Sequence, residues 1–149
     1  MKQRVRSAAA SDLPAILNLL AEDAIRYTDE LAGITERQRA AIAEIIADPN
    51  AELLVGEIDG RVVSTATVHY LRILTMDGGL ICQIEAVRAA SDLRGQGLGR
   101  QLIEHIIAAA RVRGCGRVQL TSNRQRTRAR EFYERIGFEA SHIGFKLLL

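Results

Sequence analysis

The chain has 149 residues, of which 48% are hydrophobic and 26% charged, and its formal net charge is +2. That length suits one domain with a real core, and so small a charge gives no reason to expect a polyanion partner such as nucleic acid. Cys82 and Cys115 are the only cysteines and have neither Cys-x-x-Cys nor His-flanked spacing, so a disulfide framework and a zinc site are unsupported and a reducing, cytoplasmic setting is expected.

The stretch from Met1 to Ala10 has basic and small residues, but Asp12 and Pro14 interrupt it before an apolar run forms. No later run is long enough to span a bilayer, so neither a targeting segment nor a membrane partner is expected. A short strand, β1, is predicted around Val5. A helix, α1, follows, capped by Ser11 or Asp12, with Leu13, Ile16, Leu17 and Leu20 on one face. Tyr27 to Gly33 reads as a polar loop. The next helix, α2, opens with Thr35 and Gln38 at capping-box spacing, continues through Ile42, Ile45 and Ile46, and stops at Pro49.

From Glu52 the period changes. "ELLVGEI" and "RVVSTATVHYLRI" are rich in β-branched residues and flank Asp59-Gly60, which predicts an antiparallel hairpin of β2 and β3. A turn at Met76 to Gly79 leads into "LICQIEAV", β4, which feeds the glycine-rich stretch "LRGQGLGR", Leu93 to Arg100. Leu98, Leu102, Ile103, Ile106 and Ile107 then recur at helical spacing (α3) until Gly114, a C-terminal cap. "RVQLTS" gives β5 beside β4. Arg128 to Ile136 reads as a helix, α4, stopped by Gly137, with "FEASH" and "GFKLLL" as closing strands.

A loop that leaves a strand and enters a helix aims unpaired backbone N–H groups at one spot, where the helix dipole adds positive character. Phosphate is its natural occupant, with Gly95, Gly97 and Gly99 letting the backbone approach and Arg94 and Arg100 adding charge. A nucleoside-triphosphate loop needs Lys-Ser or Lys-Thr after its last glycine, but Arg100-Gln101 stands there. The dinucleotide fingerprint needs G-x-G-x-x-G in a first βαβ unit, whereas the spacing here is G-x-G-x-G, two-thirds along the chain.

Arg94, Gly97 and Gly99 fill R-x-x-G-x-G after "IEAVRA", which resembles the acetyl-CoA pyrophosphate loop of the GCN5-related N-acetyltransferase (GNAT) superfamily. "AREFYERIGF", Ala129 to Phe138, resembles that family's A-x-x-F/L-Y-x-x-x-G-F segment, and the element order is the family's over essentially the whole chain. The resemblance implies one α/β (α+β) domain, residues 1–149, with a mixed, mostly antiparallel central sheet flanked by helices and with β4 and β5 parallel and splayed. It also implies direct transfer of an acetyl group from acetyl-CoA to a primary amine of a small molecule or peptide, without a covalent enzyme intermediate.

By the same resemblance, Arg94, Gly95, Gln96, Gly97, Leu98, Gly99 and Arg100 cradle the pyrophosphate. Backbone groups within Ala86, Val87, Arg88 and Ala89, at a bulge in β4, hold the pantetheine arm and the oxyanion. Glu85 is the candidate general base; a structural ion pair with an arginine, or a solvent-facing position, is the alternative. Tyr133 is the candidate acid for the departing thiolate, against simple packing beside Phe132. Where many members have asparagine this chain has Arg126, and Asn123 is the candidate to take over its contact with the CoA arm. The arginines of "RQRTRAR" either meet CoA phosphates or form a solvated face.

The resemblance also implies an acceptor pocket built largely from the α1–α2 loop, the β3–β4 side and the connection between the closing strands, which makes Tyr27, Asp29, Glu30, His69 and His142 candidates to line it. His69, His105 and His142 lack metal spacing, so no metal is assigned, and Cys82 reads as a small buried residue. "FKLLL" could form a core strand or an edge shared in a homodimer. The competing functional readings are a non-catalytic acyl-CoA-binding regulatory module and a nucleotide-binding domain that uses the loop for ATP.

Overall fold

Asp59 and Gly60 both adopt the left-handed backbone conformation, φ 48° and 79°, which a tight two-residue hairpin turn requires. They join β2 (Ala51–Ile58) to β3 (Arg61–Arg72), with Ile58 paired to Arg61. The structure, a computed structural model, describes residues 1–22 and 33–149. Tyr27, Asp29 and Glu30 therefore lie outside the described residues.

β1 (Arg4–Ser7) pairs antiparallel with β2, and β4 (Leu80–Ala89) pairs antiparallel with β3. β5 (Arg117–Leu120) runs parallel to β4, making a mixed five-stranded sheet in the order β1-β2-β3-β4-β5. The parallel pair requires a crossover, which α3 (Leu98–Val112) supplies. The chain divides into two compact units, Met1–Gln119 and Leu120–Leu149.

In the first unit, β2 and β3 bury consecutive residues, including Leu53, Leu54 and Val55 and then Val63 to Ala66. Neighbouring residues of a strand face opposite ways, so both faces of this part of the sheet are covered. Leu13 and Ile16 of α1 (Leu13–Glu22) and Ile42 of α2 (Glu36–Ala47) pack with Ala8, Leu53 and Val55. α3 turns Leu98, Leu102, Ile103 and Ile106 of its expected stripe inward, with Ala110 in place of Ile107, which is only half-buried. Leu98 closes a second cluster with Leu19, Val63 and Ala90, which anchors the start of α3 beside the end of β4.

The α2 cap forms as expected: Gln38 N donates to Thr35 Oγ1 at 3.1 Å, and Thr35 N donates to Gln38 Oε1 at 2.9 Å. The α1 cap differs from the expected one. Ala10–Asp12 form a 3-10 turn before the helix, and the Asp12 carboxylate reaches back to accept from Ala9 N at 2.8 Å.

Asp12 is also gripped by Arg6, whose guanidinium donates to its two oxygens at 2.8 and 3.0 Å and to Glu57 Oε2 as well. The hydrogen bond from Arg6 holds the Asp12 carboxyl below its ordinary value of 3.8. A carboxyl whose folded-state pKa is depressed contributes stability that is present above its unfolded pKa and lost as pH falls through the folded one. The thermal midpoint of Asp12→Asn is therefore expected to lie below wild type near neutral pH and to converge on it in acid, checked by melts between about pH 7 and about pH 2.

Thr75–Gly78 makes the expected turn between β3 and β4, with Met76 and Asp77 left-handed at φ 54° and 56°. In the second unit, α4 (Thr127–Ile136) ends at Gly137, φ 119°. The expected closing strands are corrected: among the described residues no strand follows Leu120. Ile143, Phe145 and Leu147 stand 81%, 92% and 86% exposed. Alternating apolar residues specify a face, but a strand also needs a neighbour to fill its hydrogen-bond ladder.

Candidate active site

The register between β3 and β4 slips where the bulge is expected. Thr67 pairs with Glu85 and Thr65 with Arg88, so Ala66 alone stands opposite Ala86 and Val87. Ala86 takes φ 53°, the left-handed conformation that allows an extra residue to be inserted. A bulge turns backbone N–H groups out of the ladder, which frees them for another acceptor.

Glu85 stands exposed at the edge of this bulge. Its Oε1 accepts from Gln83 Nε2 at 3.2 Å, and Gln83 Oε1 accepts from Gln119 Nε2 of β5 at 2.7 Å. Gln83 and Glu85 are two residues apart on one strand and so share a face. The structural ion pair considered for Glu85 is not formed among the described residues. His69 pairs with Gln83 across the β3–β4 ladder, which places it beside this polar line. Sequence reasoning missed Gln83, although its spacing from Glu85 was the available signal.

After Ala90, whose N–H donates to Val63 O at 2.8 Å, Ser91–Leu93 form a 3-10 turn. Arg61 holds this turn with two 2.8 Å bonds to Asp92, which keep the Asp92 carboxyl below its ordinary value, and Glu22 accepts from Ser91 N at 2.9 Å. Gly95 and Gly97 are both left-handed at φ 78°, a conformation that residues with a Cβ seldom adopt. Gly97 is the N-cap of α3 and has no side chain to occupy the first amides, which helix geometry leaves without intrahelical acceptors. Gly99 lies inside the first helical turn. Arg100 is engaged along the helix, with Nε donating to Glu104 Oε1 at 2.7 Å.

The stretch from Glu85 to Arg100 thus presents two sets of backbone donors in sequence, one at the bulge and one at the helix start. Their donor chemistry suits an extended molecule with carbonyl and phosphate oxygens. Burial pushes the Cys82 thiol up to about 12, which makes it a poor nucleophile. Among the described residues no group of three or more His, Cys, Asp or Glu could hold a metal ion.

The second unit holds the other candidates. Asn123 Oδ1 accepts from Gln125 N and Asn123 O from Arg126 N, both at 2.9 Å, which turns the chain into α4. Arg126 is the helix N-cap. Arg130 and Arg135 pair along the helix with Glu134 and Glu131, the geometry of a solvated face. The Tyr133 ring meets Phe132 and Phe138 edge-on, at centroid distances of 5.0 and 5.7 Å. Its carbonyl accepts from the N–H groups of Gly137 and Phe138 at 3.2 and 3.1 Å, so the turn that ends the helix closes directly on Tyr133. His142 lies in the exposed tail, where its Nδ1 meets Ser141 Oγ at 2.7 Å.

The profile of the Acetyltransferase (GNAT) family matches residues 13–138. Glucosamine 6-phosphate N-acetyltransferase of Trypanosoma brucei brucei is 32% identical over 119 residues, covering 79% of this chain and 74% of that protein. The 5-NmdU N-acetyltransferase of Pseudomonas phage PaMx11 is 43% identical over 70 residues; these are 40% of this chain and about half, 48%, of that protein's length. Among solved structures, a transcriptional regulator from Bacillus halodurans C-125 superposes with a TM-score of 0.92 at 36% identity, covering 99% of this chain and 100% of that one. The bulged β4, the glycine loop that opens α3 and these matches lead to one conclusion: the chain belongs to the acetyltransferase (GNAT) family, whose members transfer an acetyl group from acetyl-CoA to an amine.

Proposed function

We propose that this protein is a single-domain N-acetyltransferase, residues 1–149, that moves the acetyl group of acetyl-CoA to a primary amine of a small molecule or peptide. The observation that carries this reading is the pair of backbone-donor sites on one stretch of chain, the Ala86–Val87 bulge and the uncapped start of α3. Acetyl-CoA supplies an acetyl group activated as a thioester. Backbone amides of Ala86, Val87, Arg88 and Ala89 bind the pantetheine arm and receive the negative charge that develops on the acetyl oxygen. Arg94 through Arg100 bind the pyrophosphate, and Asn123 and Arg126 bind the rest of the CoA arm.

An alkylamine has a pKa of about 10, so it arrives protonated and must lose a proton before it attacks. Glu85 takes that proton, directly or through a water. As the new C–N bond forms and the C–S bond breaks, Tyr133 gives its phenolic proton to the departing sulfur. A phenol of pKa about 10 is protonated at neutral pH and can serve a thiolate of pKa about 8.5. His69 and His142 are candidates to contact the acceptor. The free thiols of Cys82 and Cys115 suit a reducing, cytoplasmic setting; no helix among the described residues is long and apolar enough to cross a membrane. The exposed apolar tail favours a homodimer.

The test is an acceptor screen over amines, peptides and aminoglycosides that follows release of the CoA thiol. Tyr133→Phe is expected to lower kcat by about tenfold or more with acetyl-CoA affinity unchanged, and an unchanged kcat would remove the acid role. The likeness to a transcriptional regulator favours a second reading, a non-catalytic acyl-CoA-binding module. Tight acetyl-CoA binding with no thiol release on any acceptor would support it.

A further inference from the structure

Gln3 is a polar residue, 6% exposed, in the interior of the first unit, and both ends of its amide are engaged. Its Nε2 donates to Leu98 O at 2.7 Å, and its Oε1 accepts from Ser64 Oγ at 2.7 Å. Ser64 and Leu98 are themselves buried, at 0% and 2% exposure. Beside this contact, Gln101 grips the backbone that leads into β1: its Oε1 accepts from Gln3 N at 3.0 Å and its Nε2 donates to Met1 O at 2.8 Å. On β2, Gly56 leaves the room that the amide needs, since a Cβ there would collide with Gln3 Oε1 and Ser64 Oγ.

Leu98 is the first residue of α3 and directly follows the Gly97 cap. A buried hydrogen bond is directional and strengthened by low dielectric, whereas apolar packing alone tolerates small slides. We propose that Gln3 is a positioning residue for the acetyl-CoA pyrophosphate loop, holding the start of α3 against β1 and β3 so that the loop amides converge on the phosphates. This rests on the proposed function above. Gln3 does not touch the substrate; it acts through Leu98.

The test compares acetyl-CoA with S-acetylpantetheine, which lacks the pyrophosphate, by titration of wild type and Gln3→Met. Wild type is expected to bind acetyl-CoA far more tightly than the truncated thioester. In Gln3→Met the Kd for acetyl-CoA is expected to rise about tenfold, in line with the sensitivity of binding geometry to small displacements, while that for S-acetylpantetheine stays unchanged. Equal weakening of both ligands would show a merely structural role, and no weakening in a folded variant would overturn the proposal outright. If Gln3→Met does not fold, Ser64→Ala releases only the Oε1 end and is expected to give the same selectivity with a smaller rise.

Backbone 15N order parameters of Gly95 to Leu98, measured without ligand, are expected to fall in Gln3→Met. Wild type that binds both thioesters equally would refute the loop as a pyrophosphate site. The order parameters would then still decide whether Gln3 fixes the start of α3, and unchanged values would overturn that as well.

Discussion

Replacing Glu85 with glutamine is expected to lower kcat by about 10²–10⁴-fold and to leave acetyl-CoA affinity as it is. The substitution is nearly isosteric, and an amide oxygen can still accept the Gln83 Nε2 bond that the carboxylate accepts now at 3.2 Å. What it removes is the ability to take a proton. At neutral pH only about one alkylamine in a thousand is already neutral, so a variant without its base depends on that minority. The rate of Glu85→Gln should therefore climb toward wild type as pH rises toward the acceptor's own pKa. A variant as fast as wild type at neutral pH would move proton removal to another group or to solvent.

Gly97→Val is expected to weaken acetyl-CoA binding by at least about tenfold and to cost about 1–3 kcal/mol of stability. Gly97 sits at φ 78° as the N-cap of α3. A β-branched residue is strained in that conformation, and relief of the strain rotates the peptide that aims the first helix amides. A Cβ there would meet no hard obstacle among the described residues, its nearest neighbour being Gln101 Nε2 at 3.9 Å. The effect is thus one of backbone conformation rather than collision. Calorimetric titration with acetyl-CoA and a urea melt together check it. Unchanged affinity in a folded Gly97→Val protein would detach the loop from phosphate binding.

Elements encoded in short stretches of the chain are legible from those stretches alone. The Thr35–Gln38 capping box and the Asp59-Gly60 turn form as expected, because each depends on residues no more than three apart. The glycine loop is legible for a similar reason. A strand, two left-handed glycines and an apolar helical stripe leave little choice about where the first amides point. The bulge is expected within Ala86–Ala89 by resemblance, and pairing with β3 puts it at Ala86–Val87. The closing strands show the limit of pattern reading, since alternation in the last residues names a face without naming a neighbour.

The supports of the candidate site are not legible in this way. The Arg61–Asp92 clamp joins residues 31 apart, the Gln83–Gln119 bond residues 36 apart, and the Gln3–Leu98 bond residues 95 apart. Nothing near any of these side chains in the chain marks its partner. By itself, the sequence determined the family, the α2 capping box, the hairpin and the donors of the phosphate loop, because backbone conformation there is set by neighbours within a turn or two. Only the tertiary structure decided that Gln119 of β5 backs the Gln83 that leans on Glu85, and that a buried amide from the start of the chain meets the first turn of α3. Such pairings depend on sheet order and strand register, which arise when distant segments pack together.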